Sequence, residues 1–480
     1  MPETTIRTPA ADVKHLREQV QELMPHLRDV LKMLVGIPSI ATVPPSSDMD
    51  ACSNAIVSQF QRAGLNSARA DRIRYNGQET APIVFVDEPG PPEAPSVLFF
   101  SHYDVAPVKG QQWSSDPFKP TEKNISNDVR LVGRGACDDK ASICAHLGMA
   151  QLFEGKPPVH LKMVIEGEEK LGRRVLSDYL SDPTTQDNRF SADVIVVANS
   201  GKPNSSSPAI TSTVRGFAVY DLEVATLERP IHSGAFGGPV PDAFMALAQL
   251  LATLHDRNGD VAVPGLTQDQ HDWNAVDESR MRADAGLLPG VSLIGTGPLE
   301  QRLYGKPSIN VVGLDTAGVQ PIDHAAHVLC ARAKARISVR LAPGQDVRAV
   351  QSALEQHLKG ARPWGIDFTL TPVTNSYGFN AAPGGQYRLL AGMAMAEAHG
   401  AESAEDIGQG GAGWAPHVLQ QLNPGSDVVL WGVQDSLSNN HSTDESISYT
   451  ELERLTLAEA LLVRKVSEAA AAPVPQARKS

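Results

Sequence analysis

The chain has 480 residues, more than one hydrophobic core usually supports, so about two domains are expected. Its formal net charge of -13, with no basic stripe to offset it, argues against nucleic acid or an anionic membrane surface as partner. No run of about 18 apolar residues occurs, and residues 1–20 lack the basic start and apolar core of a signal peptide, so a cytoplasmic protein is expected.

Apolar residues at helical spacing (Val13, Leu16, Val20, Leu23, Leu27, Val30, Leu31, Leu34) predict a helix over 12–35, broken at Pro25 and stopped by Gly36-Ile37-Pro38. Strands at 82–86 and 96–101, a helix at 139–153, a strand at 159–166, a helix at 173–180 and a strand at 193–198 then alternate as in an α/β sheet. From Ile210 the run ITSTVRGFAVYDLEVAT reads as two-stranded. A helix at 241–254, a long irregular stretch, a strand at 335–341, a helix at 347–358 and a strand at 366–372 follow. Helix, strand and helix resume at 383–399, 427–433 and 449–469, and 469–480 is a low-complexity tail expected to be disordered. The fold class is therefore α/β: residues 1–209 and 376–480 form a mixed-sheet α/β/α domain, and 210–375 an inserted smaller α+β domain. The four cysteines, Cys52, Cys137, Cys144 and Cys330, are too scattered for a disulfide framework or a zinc ribbon.

Four motifs carry chemistry. Ser101-His102-Tyr103-Asp104 ends an apolar strand, where loops of an open sheet gather ligands, and an imidazole two residues from a carboxylate suits a metal ligand with its orienter. A polar strand end is the plain alternative. Gly133-Arg134-Gly135-Ala136-Cys137-Asp138-Asp139-Lys140-Ala141 delivers adjacent acids at a helix start, which fits a ligand or a simple acidic first turn. Glu166-Gly167-Glu168-Glu169-Lys170-Leu171-Gly172 crowds charge after a buried strand, as either a catalytic or a solvated loop. The fourth motif is Asn440-His441-Ser442-Thr443-Asp444-Glu445. Cys137 as a nucleophile beside His102 is a further alternative.

In this order and spacing the four motifs resemble those of the di-zinc peptidase family of carnosinase, aminoacylase, carboxypeptidase G and succinyl-diaminopimelate desuccinylase. Trp113-Ser114-Ser115-Asp116-Pro117-Phe118, His232-Ser233-Gly234-Ala235-Phe236-Gly237-Gly238 and Ser338-Val339-Arg340-Leu341-Ala342-Pro343 are similar to the family's WxxDPF, HSGxxGG and SIRLVP segments, so the resemblance spans nearly the whole chain. The resemblance implies a catalytic domain with an inserted dimerisation (lid) domain, a homodimer, and a small-molecule substrate. It further implies two zinc or manganese ions sharing a bridging carboxylate, with a glutamate as base. Matched to this chain, it makes His102 a metal ligand, Asp104 its orienter, Asp138 the bridge, Glu169 the base and His441 a ligand of the second metal. His232 would polarise the scissile carbonyl in a partner's site, Arg340 would bind a substrate carboxylate, and Asn310 and Ala412 are the further substrate-binding positions.

The chain also departs from the family. Its EGxEExGS motif places a metal-ligand glutamate where Lys170 stands; a one-residue slip would instead make Glu168 the base and Glu169 the ligand, at the expense of an insertion before Gly172. The remaining ligand, an aspartate, falls on Asn199, and no acid lies between Ala198 and Ile210. Lys170 and Asp138 cancel in charge, so the five ligand positions are neutral without metal and strongly cationic with two dications. In the family's RxGGSIP segment the arginine position is Gly408 and the serine position Ala412. The expected reading is a metal-independent enzyme keeping the pocket, with no cofactor, Glu169 as base and Lys170 stabilising negative charge. The alternatives are a dipeptidase or N-acyl amino-acid amidohydrolase with one zinc or manganese ion, and a non-catalytic homologue.

Overall fold

A computed structural model describes residues 9–202, 207–317, 322–382, 384–411 and 413–471. Most of the expected disordered tail, from residue 472 on, lies outside the described residues. The chain divides into two compact units, one of residues 1–212, 381–407 and 413–480, the other of 213–380 and 408–412.

The first unit is built on a mixed sheet in the spatial order Arg69–Asp71, Ile83–Glu88, His160–Glu166, Ser96–His102, Val194–Val197, Asp427–Leu430 and Ala209–Val214. Its centre is parallel: Ser96–His102 pairs with both His160–Glu166 and Val194–Val197, and Asp427–Leu430 with Val194–Val197. All four residues of Val194–Val197 are buried, as expected for a strand covered on both faces. Helices Ala10–Val35, Ala141–Leu152, Gln386–His399 and Tyr449–Ala471 pack on one another, and Val175–Ser181 packs on Ala415–Leu422. The Ala141–Leu152 helix is buried from Ala141 to Ala150 because its small residues admit close neighbours. A Cβ on its Gly148 would lie 2.7 Å from Thr456 and 2.8 Å from Leu27.

The N-terminal helix corrects the sequence reading at Pro25. It runs unbroken from Ala10 to Val35 with Pro25 inside it. Proline there forfeits one backbone hydrogen bond, but Val20, Met24, Leu27 and Leu31 bury on both sides of it, and this packing outweighs the local loss.

The second unit carries a four-stranded antiparallel sheet in the order Ser308–Ala317, Arg332–Leu341, Gly216–Ala225, Phe368–Ser376. Alternate residues Ala218, Tyr220, Leu222 and Val224 of one central strand, and Ala333, Ala335, Ile337 and Val339 of the other, enter one core with Leu247 and Leu250 of the Ala243–Ala252 helix and Leu354 and Leu358 of the Val350–Ala361 helix. The strand Ser308–Ala317 lies in the stretch read as irregular. It is an edge strand whose Val311, Val312 and Leu314 are exposed, so it shows no buried alternation. The run from Ile210 is divided between the sheets: Ala209–Val214 joins the first, Gly216–Ala225 the second.

Candidate active site

The parallel strands deliver their carboxyl ends to one place. His102 closes Ser96–His102 directly opposite Glu166, the last residue of its neighbour, and the chain after Glu166 turns back at once. The Asp104 carboxylate holds that turn. It accepts the backbone N–H of Glu169 at 3.2 Å and of Lys170 at 2.7 Å, while lying 3.3 Å from His102 Nδ1. Asp104 thus positions the third motif as well as the histidine.

Asp138 enters from the turn Ala136–Lys140, just ahead of the Ala141–Leu152 helix and preceded by Gly135 at φ 83°. The fully buried Glu445 clamps this turn: Oε1 accepts the N–H groups of Cys137 and Asp138, each at 3.2 Å, and Oε2 pairs with Arg134 at 2.7 Å. The acids of the second motif therefore sit before the α-helix rather than in its first turn. Arg130, also fully buried, forks onto Asp435 at 2.9 and 2.8 Å and donates to Ser446, fixing the loop that carries His441.

At the centre, Asp138 receives three nitrogens. Its Oδ1 lies 3.1 Å from His102 Nε2; its Oδ2 lies 2.8 Å from His441 Nε2 and 2.9 Å from Lys170 Nζ. Lys170 Nζ also lies 2.7 Å from Glu169 Oε2, which is 4.0 Å from His102 Nε2. A Cβ on Gly413 would lie 2.9 Å from Glu169 Oε1, so a residue without a side chain borders the carboxylate. Burial alone would lower the Lys170 ammonium; the carboxylates of Asp138 and Glu169 outweigh it and hold the group above its ordinary value. Burial would likewise raise Asp138, but Lys170, His102 and His441 hold it well below the usual carboxylate range. Burial and Lys170 press His102 down, yet Asp104, Asp138 and Glu169 leave it raised well above its ordinary value.

The structure brings together His102, Asp104, Asp138, Glu169, Lys170 and His441. Glu168 is turned elsewhere, accepting from Ala81 N–H at 3.0 Å and Arg173 at 2.7 Å, which supports the register with Glu169 and Lys170 in the site. Asn199 Oδ1 accepts from Gln434 Nε2 at 2.8 Å, and Gln434 accepts in turn from Asn440. Cys137 is buried with its thiol on Asn440 Oδ1 at 3.0 Å, and burial, with Glu445 and Asp138 beside it, pushes the thiol well up, away from nucleophilic character. Glu445, Arg134 and Gln434 are contributors the sequence reading assigned no part. Only their membership in the second and fourth motifs, or closeness to the fourth, hints at one.

In the second unit, His232 is exposed and caps the short Ser233–Phe236 turn, its Nδ1 accepting from Ala235 at 3.2 Å. Asn310 is exposed on the edge strand opposite Ser338. Arg340 is half-buried over Phe217, 5.4 Å from the ring centroid. Ala412 lies outside the described residues. Gly408 faces Tyr304 so closely that a side chain there would meet it.

These residues do not fit a dinuclear centre. The Lys170 ammonium lies on Asp138 Oδ2 at 2.9 Å, and at about 4 Å an ammonium would repel a dication by roughly 8 kcal/mol at an effective dielectric near 20. Asn199 supplies at most a neutral carbonyl, already hydrogen-bonded. Among the described residues no group of three or more His, Cys, Asp or Glu side chains is arranged to hold a metal ion.

Residues 98–465 match the family described as Peptidase family M20/M25/M40. A cysteinylglycine-S-conjugate dipeptidase of Corynebacterium striatum is 30% identical over 439 residues, covering 90% of this chain and 93% of that protein. The Homo sapiens Beta-Ala-His dipeptidase is 29% identical over 320 residues, covering 62% of this chain and 61% of that protein. Among solved structures, human carnosine dipeptidase 1 superposes with a TM-score of 0.78 at 23% identity, over 95% of this chain and 99% of that one.

Proposed function

The chain belongs to peptidase family M20/M25/M40, and on that premise we propose that it is an enzyme acting on a small peptide-like or amino-acid-derived molecule by acid/base chemistry that needs no metal. The observation that carries this reading is the ion pairing of Lys170 with both Asp138 and Glu169. In this reading Glu169 takes the proton, the Lys170 ammonium stabilises the negative charge that develops on the substrate, and Asp104 keeps both in place through their backbone N–H groups. Proton transfer next to a carbonyl, isomerisation, cyclisation and amide chemistry all suit such a pair. His232, Arg340, Asn310 and the segment at Ala412 are its proposed substrate contacts, in a cytoplasmic homodimer assembled through the second unit. Among the described residues no helix is long and apolar enough to cross a membrane.

A second reading, a dipeptidase or N-acyl amino-acid amidohydrolase with one zinc or manganese ion, draws support from relatives named dipeptidases and from the retained pairing of His102 and His441 on Asp138. Metal analysis of protein purified without chelator separates the two. The metal-free reading expects far less than one ion per chain, together with turnover of dipeptides, N-acyl amino acids or related amides that falls about 100-fold or more in Glu169→Gln. A stoichiometric zinc or manganese would establish the second reading instead. A folded protein inert toward all such compounds would leave only a binding role.

A further inference from the structure

The segment around Trp113 is similar to a family motif, yet none of its side chains enters the chemistry proposed above. Its contacts lead to His441. That residue is the most exposed of the site, with 60% of its side chain in solvent, and among the described residues its ring makes one polar contact, to Asp138. Its backbone is left-handed, at φ 61°, as are Asn439 at 52° and Asp444 at 55° in the same loop. Residues with side chains keep that conformation only where their surroundings over-determine it. Here the neighbouring segment fastens the loop at two points. The Asp444 carboxylate accepts the N–H and the hydroxyl of Ser114 at 3.1 and 2.7 Å. Gln111 Nε2 donates to the His441 carbonyl at 2.9 Å, the one hydrogen bond to that residue's main chain among the described residues. The other end of the same amide is also engaged: Oε1 accepts from Arg134 Nη2 at 2.7 Å and from Trp113 Nε1 at 3.1 Å, while Arg134 lies 4.9 Å from the Trp113 ring centroid. Arg134 in turn donates to Glu445, and Glu445 accepts the backbone N–H of Asp138. One amide thus joins the main chain of His441 to the brace that fixes Asp138, the partner of its ring.

We propose that Gln111 is a positioning residue for His441: its amide pins the left-handed turn that sets the imidazole on Asp138, and through Arg134 and Glu445 it keeps the two in register. An amide suits this place because it donates at one end and accepts at the other. A carboxylate could still receive Arg134 but has nothing to give the His441 carbonyl. That His441 takes part in turnover rests on the function proposed above; its placement by Gln111 does not.

Nuclear magnetic resonance of the full chain, isotopically labelled at its histidine nitrogens and kept in EDTA, tests this. The ring signals of His441 are identified by their loss in His441→Asn. In the wild type they are expected away from those of a free imidazole, because Nε2 is engaged by Asp138 at 2.8 Å. In Gln111→Ala and in Gln111→Glu they should move most of the way to the free values, while the ring signals of the exposed His232 stay in place. Gln111→Glu is the deciding variant: an amide that only braced Arg134 could be replaced by the carboxylate without effect, whereas one that places His441 could not. Wild-type signals already at the free values, unchanged signals in Gln111→Glu, or an equal movement of His232 would overturn the proposal. Should Gln111→Ala unfold, Gln111→Glu, which keeps the contact to Arg134, still decides the matter. Neither turnover nor bound metal is read, so failure of the proposed chemistry and failure of this placement are separate results.

Discussion

Lys170 is 8% exposed and shared by two carboxylates. Replacing it by methionine removes the cation and leaves the buried Asp138 and the half-buried Glu169 without it, so unfolding in urea should show a loss of about 3 kcal/mol. A loss below roughly 0.5 kcal/mol would mean that the ammonium is not engaged as described. The double change Lys170→Glu with Asn199→Asp reverses both departures from the family pattern. It should give a folded chain that binds two zinc or manganese ions, read by calorimetry; a folded variant that takes up none would refute the alignment. Each departure was read from its own landmark in the sequence, Lys170 from the flanking Glu166-Gly167 and Gly172, and Asn199 by counting back from Gly216. The clamp by Glu445 was not, since its partners Arg134, Cys137 and Asp138 are over 300 residues away and hydrogen-bond geometry leaves no periodic trace.

At the scale of elements, patterns that face a core on one side were readable and the others were not. Gly216–Ala225 alternates buried and half-buried residues and is visible as a strand, whereas Ser308–Ala317 exposes most of its length and passes for loop. Pro25 shows the opposite error, a strong local signal overridden by neighbours. Restoring its missing donor in Pro25→Ala should therefore raise stability by about 1 to 3 kcal/mol, measured as a shift of the urea midpoint without change in slope. A destabilised variant would mean that the helix packs around a bend that proline imposes.

At the scale of the molecule, the described residues form two hydrophobic clusters, one around the mixed sheet and one around the four-stranded sheet. Residues 213–380 are contiguous in sequence and contain the whole of the second cluster. Expressed alone, this segment should fold cooperatively, with a single unfolding transition by circular dichroism; a non-cooperative melt would show that it depends on the rest of the chain. The sequence could suggest this division through its change of texture near Ile210, but not the point of crossing. Arg215 alone separates two strands that belong to different sheets.

The ammonium on Asp138 has a consequence for how the protein matures. A counter-charge that is part of the polypeptide is in place as soon as the chain has folded, and it cannot be scavenged, exchanged or diluted away. Dialysis against EDTA should therefore leave the midpoint of thermal unfolding where it was, at any concentration of zinc or manganese in the medium; a drop of several degrees would show that a loaded ion contributes to the fold.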